Sequence, residues 1–179
     1  MQKTEARSFA HLVGSVYLVY FVVAILGMLL VHWKTIPGIA PVWASNALYV
    51  ATTLFLYRLF RPVNELWALV AAAISLLGCA TDLVNHLHRG PALVSPLIFF
   101  GPFCILLGIL ILRSRFLPHW LGWPLIAAGI GWLAYLIPTV SLHAKIAIFS
   151  VGFLAEFELM LWLLIKGVDE TRWAPAKAK

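Results

Sequence analysis

Apolar residues run along this chain in long blocks, and polar and helix-breaking residues collect in the short intervals between them. A helix needs about 20 residues to cross the hydrocarbon core of a bilayer. Six segments approach or exceed that length: 9–33, 42–60, 64–87, 93–112, 120–140 and 145–166. The intervals carry Pro37, Gly38 and Pro41, then Pro62, then Gly90 and Pro91, then Pro118 and Pro138, the residues that end helices and make turns. Connections this short make consecutive helices antiparallel neighbours. The pattern predicts an all-α fold, a polytopic integral membrane bundle of six transmembrane helices forming one domain over 1–179. The first run is too long for the apolar part of a signal peptide and no small-residue cleavage site follows it, so it reads as a retained span.

Composition agrees. Hydrophobic residues make up 63% of the chain and charged ones 11%, with a mean hydropathy of +0.95. A soluble domain carries about a quarter charged residues, so a soluble enzyme, a disordered tail and a nucleic-acid binder with a charged face are all excluded. The net charge of +6 reads as topology. Lys3, Arg7, Arg58, Arg61, Arg113, Arg115, Lys166, Arg172, Lys177 and Lys179 fall on one side, and Lys34, Arg89 and Lys145 on the other. Basic residues mark the cytoplasmic side, which predicts an inner-membrane protein with both termini in the cytoplasm. Its partner is the lipid bilayer, no nucleic acid is expected, and small-residue helix surfaces leave room for an oligomer.

Several stretches resemble a known family. They are Leu59-Phe60-Arg61-Pro62-Val63-Asn64, then Ile98 to Gly101 running through Arg113-Ser114-Arg115-Phe116-Leu117-Pro118, and then Glu156 through Trp162 to Val168. Together they resemble a bacterial family of six-span membrane proteins catalogued as a domain of unknown function (DUF4386 type). The likeness covers spans two to six, and it implies an inner-membrane protein with no assigned activity. Two departures stand out: the first outer loop, Lys34 to Pro41, is short, and Ser75 stands where the resemblance would put an Arg. An intramembrane ion pair from the third span to Glu156 is then missing, and Glu156 needs another partner.

Ionisable groups inside a span are expensive, so each needs a partner or a purpose. The sixth span has Glu156, close to mid-membrane, and Glu158. Residues two apart on a helix point to nearly opposite faces, so the two cannot form a dyad. Glu156 is placed inside the bundle, either hydrogen-bonded to a hydroxyl or carbonyl, or serving a proton relay or a ligand's polar head. Glu158 is placed at a groove or a subunit contact. The third span ends in Cys79, Asp82, Asn85, His86 and His88. Asp82 and His86 share a helical face, and a carboxylate that fixes a His tautomer is common beside a metal ligand. His32, His86, His88 and His143 all fall at the outer face, which makes them candidate ligands for zinc, copper or haem. The plainer alternative is that imidazoles are tolerated at the interface. His11 and His119, at the inner face, would have to serve any second haem.

The remaining signals are mostly packing. Cys79 and Cys104 lie inside apolar runs and read as small packing residues. Ala71, Ala72, Ala73 and Ser75 on the third span, and Ala127 with Gly131 on the fifth, permit close helix approach. Pro96, Pro102 and Pro124 either mark broken helices that line a cavity or are ordinary membrane prolines, the favoured reading. No P-loop, nucleophile elbow, zinc-protease helix or kinase signature is present, which argues against a nucleotide enzyme. Three functions fit. The first binds or carries a small apolar or amphipathic ligand within the bundle, with Glu156, Asn46 and Asp82 as polar contacts. The second is an outer-face redox protein using His-ligated metal or haem. The third is a structural or assembly partner.

Overall fold

The computed structural model describes residues 3–32, 39–88 and 92–177. Among them every regular element is helical: α1 Lys3–His32, α2 Ile39–Phe60, α3 Glu65–Leu87, α4 Leu97–Arg113, α5 Gly122–Tyr135, α6 Leu142–Ile165 and a short α7 Glu170–Lys177. A 3₁₀ turn, His119–Leu121, leads directly into α5.

Sequence chemistry explains the ends. Asn64 caps α3 by accepting from the Trp67 amide at 2.9 Å, and Ser141 caps α6 by accepting from Ala144, so each relieves an orphan amide of the first turn. Gly167 follows α6 with φ of 69° and its amide bonds back to the Trp162 carbonyl, the left-handed terminus that glycine makes cheap. α4 begins at Leu97 rather than near Leu93. The Asn85 side chain clamps the preceding loop, donating to Val94 O at 2.7 Å and accepting from Leu93 N at 2.9 Å, which holds that loop out of the helix. α5 ends at Tyr135, short of the expected 140, because Pro138 disfavours helical backbone just before it.

The helices form a closed ring in chain order. Phe9 meets Phe55 while Tyr17 meets Tyr49, so α2 runs back along α1. Thr53 bonds Ser75 and Asn46 bonds Asp82, which turns α3 back along α2. Arg113 lies over Trp67 while Phe100 lies against Gly78, reversing α4 on α3. Lys145 lies over Tyr135 while the Trp132 ring covers Gly152, reversing α6 on α5. Finally Phe21 packs on Phe153 and Phe157, and α6 closes the ring against α1.

The tightest seam is between α4 and α5. A Cβ added at Gly108 would stand 2.6 Å from the Gly122 carbonyl oxygen, and one at Gly122 would stand 2.7 Å from that of Gly108. Gly101 and Gly129 pair in the same reciprocal way one heptad further along. A spacing of seven keeps both pairs on one seam of a left-handed crossing. The small-residue pair expected to serve α5, Ala127 and Gly131, does not form this seam. Gly131 lies against Ile148 of α6, and Ala127 is exposed.

Three helices are long and apolar enough to cross a membrane, over Glu5–Leu30, Glu65–Leu87 and Leu142–Ile165, and α4 is a shorter apolar helix. α2 has the length, but Ser45, Asn46, Tyr49, Thr52 and Thr53 lower its hydropathy. α5 spans about 21 Å at 1.5 Å per residue. The outside of the ring is clad in exposed apolar side chains, among them Leu26, Met28, Leu66, Leu77, Ile130 and Leu154. Soluble monomers do not expose apolar surface on this scale, so this is a membrane protein.

The two ends of the ring differ. Arg58, Arg61, Arg113, Arg115 and Lys166 cluster at one end, where Leu59, Phe60, Leu107, Leu110, Ile111 and Leu163 are buried and about 10 Å³ remains near Phe103. A groove of about 1250 Å³ lined by Glu5, Phe9, Arg58, Arg61, Glu65 and Trp173 opens beside α1, α2 and α7 at this end. The stretch Arg113 to Pro118 is a clamp at this end. Phe116 and Leu117 are buried, Phe116 lies beside Phe60 at 5.9 Å, and its carbonyl accepts from Asp169 N. Trp173 of α7 donates to Leu59 O, so the chain's last helix ties onto α2. The other end is open.

Candidate functional site: a cavity in the open half of the ring

The open half contains a cavity of about 480 Å³, within the range of small-molecule sites. All six long helices contribute to its wall: Tyr20 from α1, Asn46 and Tyr49 from α2, Cys79 and Asp82 from α3, Phe100 from α4, Trp132 from α5, Phe149 and Glu156 from α6. Chain order alone produces this convergence, because a ring of six antiparallel helices points one face of each inward.

Glu156 lies mid-helix on α6, and its partners come from three other helices. Tyr17 donates to Oε2, Tyr49 donates to the same oxygen at 3.4 Å, and the Cys104 thiol approaches Oε1 at 3.9 Å. Tyr17 is fully buried, and Tyr49 and Cys104 nearly or fully so. α3 carries no Lys or Arg, and these two hydroxyls and the thiol are what surround the Glu156 carboxyl. Ser75 instead bonds Thr53 at 2.8 Å, and both are buried, a pair that satisfies two hydroxyls at the α2–α3 seam.

Asp82 stands toward the open end. Asn46 donates to its Oδ2 at 2.8 Å, bridging α2 and α3. The three polar contacts expected from sequence, Glu156, Asn46 and Asp82, therefore stand around one cavity. The expected Asp82–His86 pair takes a different form. His86 Nδ1 donates to the Asp82 backbone carbonyl at 2.8 Å, while the Asp82 carboxylate lies 3.7 Å from that nitrogen. A ring four residues on reaches its own helix's carbonyl first, which leaves the Asp82 side chain to Asn46.

The imidazoles are not gathered. His88 caps α3 through its backbone amide, His143 is exposed in the first turn of α6, and the His32 side chain lies outside the described residues. Among the described residues no group of three or more His, Cys, Asp or Glu side chains could hold a metal ion, so the four-imidazole centre is not assembled there. Of the inner pair, His11 donates to the Leu164 carbonyl at 2.8 Å, capping α6, and His119 is exposed. Glu158 is exposed on the outside of α6, opposite Glu156.

Sequence reading missed the aromatic share of this site. The Tyr20 and Tyr49 rings lie 4.8 Å apart, tilted by 56°, Tyr49 meets Phe100 edge-on at 5.4 Å, and Trp132 meets Phe149 edge-on at 6.0 Å. The available signal was Tyr17 and Tyr20 on one face of an apolar helix, since a buried phenol needs a hydrogen-bond partner. Cys79 and Cys104 are buried as expected, but Cys79 also lines the cavity and Cys104 also contacts Glu156.

Comparison with known proteins agrees with the later two stretches singled out above, Ile98 to Pro118 and Glu156 onward, while Leu59 to Asn64 lies outside the family match. The family described as a domain of unknown function (DUF4386) matches residues 84–167, which covers α4 to α6 and most of the cavity's far wall. A protein of the archaeon Archaeoglobus fulgidus, described as an uncharacterized protein, is 30% identical over 139 residues, 74% of this chain and 85% of its own. No solved structure matches the chain significantly. The chain belongs to the family described as a domain of unknown function, DUF4386.

Proposed function

We propose that this chain is a six-span protein of the inner, plasma membrane, with both termini in the cytoplasm, that binds or carries a small apolar or amphipathic molecule in the cavity between its helices. The observation that carries this is the cavity itself: about 480 Å³, walled by aromatic rings, with carboxyl groups at two places in its lining. A mostly apolar wall with a few placed polar groups is the usual form of a small-molecule site within a bundle. Six spans and the orientation draw support from the ring, which needs α2 and α5 to cross beside the more apolar helices, and from the cluster of Arg and Lys at the filled end. On that orientation the cavity lies in the outer half of the membrane.

The test is native mass spectrometry of the protein purified in mild detergent, beside a Ser45→Trp variant whose indole would occupy the cavity. A retained lipid-like mass in the wild type that the variant lacks is the expected result. Clean apo-protein in both would favour a structural or assembly role. A periplasm-only reporter active at the C-terminus would overturn the orientation.

A further inference from the structure

We infer that the molecule held in this cavity is an organic cation, a singly charged ammonium on an apolar body; the inference rests on the reading of the cavity as a binding site. The ionisable side chains of the lining carry one sign. Asp82 and Glu156 are there, and no Lys, Arg or His joins them among the described residues. Each carboxyl keeps an oxygen with no close donor. Asn46 takes Asp82 Oδ2 at 2.8 Å, while Oδ1 has only His86 Nδ1 at 3.7 Å. Tyr17 and Tyr49 both take Glu156 Oε2, while Oε1 has only the Cys104 thiol at 3.9 Å.

The walls fit the same ligand. Ring faces carry negative partial charge and attract cations, more strongly where water is excluded. Tyr20, Tyr49, Phe100, Trp132 and Phe149 line the space between the two carboxyls, and the Tyr20 hydroxyl has no hydrogen-bond partner among the described residues. An anion would meet two carboxyl groups. A hydrocarbon would leave the carboxyl groups without a counter-charge, which is costly in a low-dielectric site. A bare metal ion finds no third ligand among the described residues. A bulky ammonium ion needs no such tight ligand shell.

The experiment is calorimetric titration of the full chain in detergent with benzyltrimethylammonium and with neopentylbenzene, its neutral counterpart with carbon in place of nitrogen. The Ser45→Trp variant serves as the blocked control. The ammonium is expected to bind about tenfold or more tightly than the hydrocarbon, since one desolvated ring contact and one charge pair supply at least that ratio. Glu156→Gln and Asp82→Asn are each expected to weaken the ammonium about tenfold and leave the hydrocarbon unchanged. Should Glu156→Gln not fold, Asp82→Asn carries the test, because Asp82 stands at the open end. Equal or tighter binding of neopentylbenzene, blocked by Ser45→Trp, would overturn the cation assignment and leave the cavity reading standing. Binding of neither probe, or binding that Ser45→Trp does not alter, would overturn both.

Discussion

Tyr17 on α1 donates its hydroxyl to Glu156 on α6, a hydrogen bond between residues 139 apart in sequence. It ties the first and last long helices together at mid-height, where the ring closes, and fixes the one carboxyl that reaches the interior from α6. Losing that donor leaves a buried carboxyl short of its closest partner. Tyr17→Phe is expected to cost about 1–3 kcal/mol of stability. Tyr49→Phe is expected to cost less, because its bond to the same oxygen is 3.4 Å long. Melting in matched detergent gives the ranking, and a Tyr49→Phe penalty equal to or above that of Tyr17→Phe would contradict it.

The α4–α5 seam makes a second prediction. A methyl added at Gly129 would collide with the Gly101 carbonyl oxygen, so Gly129→Ala should overpack the seam at a cost of about 1–3 kcal/mol. Ala127→Leu, on the exposed face of the same helix, should stay within about 0.5 kcal/mol. The two positions lie on opposite faces of one helix, so equal melting temperatures would mean the seam lies elsewhere.

At the filled end, Gly167 turns the chain out of α6 with φ of 69°, and an added Cβ would stand 3.0 Å from Arg7 Cγ. Gly167→Ala is expected to cost about 1–2 kcal/mol for the left-handed conformation alone. Gly167→Asn should recover part of this, since Asn tolerates that region. Denaturant titration of the three proteins orders them, and an Asn variant no better than Ala would argue that crowding against Arg7 dominates.

Asp169 supplies a pH dependence. Its carboxylate accepts from the Thr171 hydroxyl at 2.6 Å and the Thr171 amide at 3.0 Å, and Arg172 lies beside it. The Thr171 hydroxyl first, then its amide and the Arg172 charge, hold this carboxyl below its ordinary value of 3.8. A group depressed in the folded state stabilises above its unfolded pKa, and that contribution is lost as pH falls through the folded one. Attachment of α7 should therefore loosen as pH falls below about 4. Asp169→Asn should abolish that acid limb. Trp173 lies in α7, so hydrogen exchange of the 169–173 amides reads it; an unchanged limb in the variant would assign it to another group.

Much of the fold is legible in the sequence because membrane solvent leaves few options. Apolar blocks of helix length, cut by Pro and Gly, located each long helix, and short connections placed each beside the next. The ends were less legible, since Asn85 reaching into the 92–96 loop is a tertiary contact that no local pattern encodes. Glu156, Asn46 and Asp82 stood out because polar groups in spans are costly, and the structure gathers them around one cavity. The tyrosines did not stand out, because an aromatic ring in an apolar run looks like packing until its hydroxyl's partner is known. The glycine seam was missed for a related reason: a spacing of four was sought, whereas the crossing uses seven. The imidazoles stand apart among the described residues because depth in the membrane is not proximity around the ring. Side chains at one level can stand on different helices and never meet.

The central claim is that the open half of the ring holds a ligand between Glu156 and Asp82. An electron cryomicroscopy map of the protein in a lipid nanodisc, with a fiducial bound to reach side-chain resolution, tests this most directly. The expected map shows six helices crossing the disc, Tyr17 and Tyr49 on Glu156, and non-protein density in the space lined by Tyr20, Phe100 and Trp132. A ring collapsed in its open half, with Trp132 and Phe149 packed onto Glu156 and no such density, would contradict it.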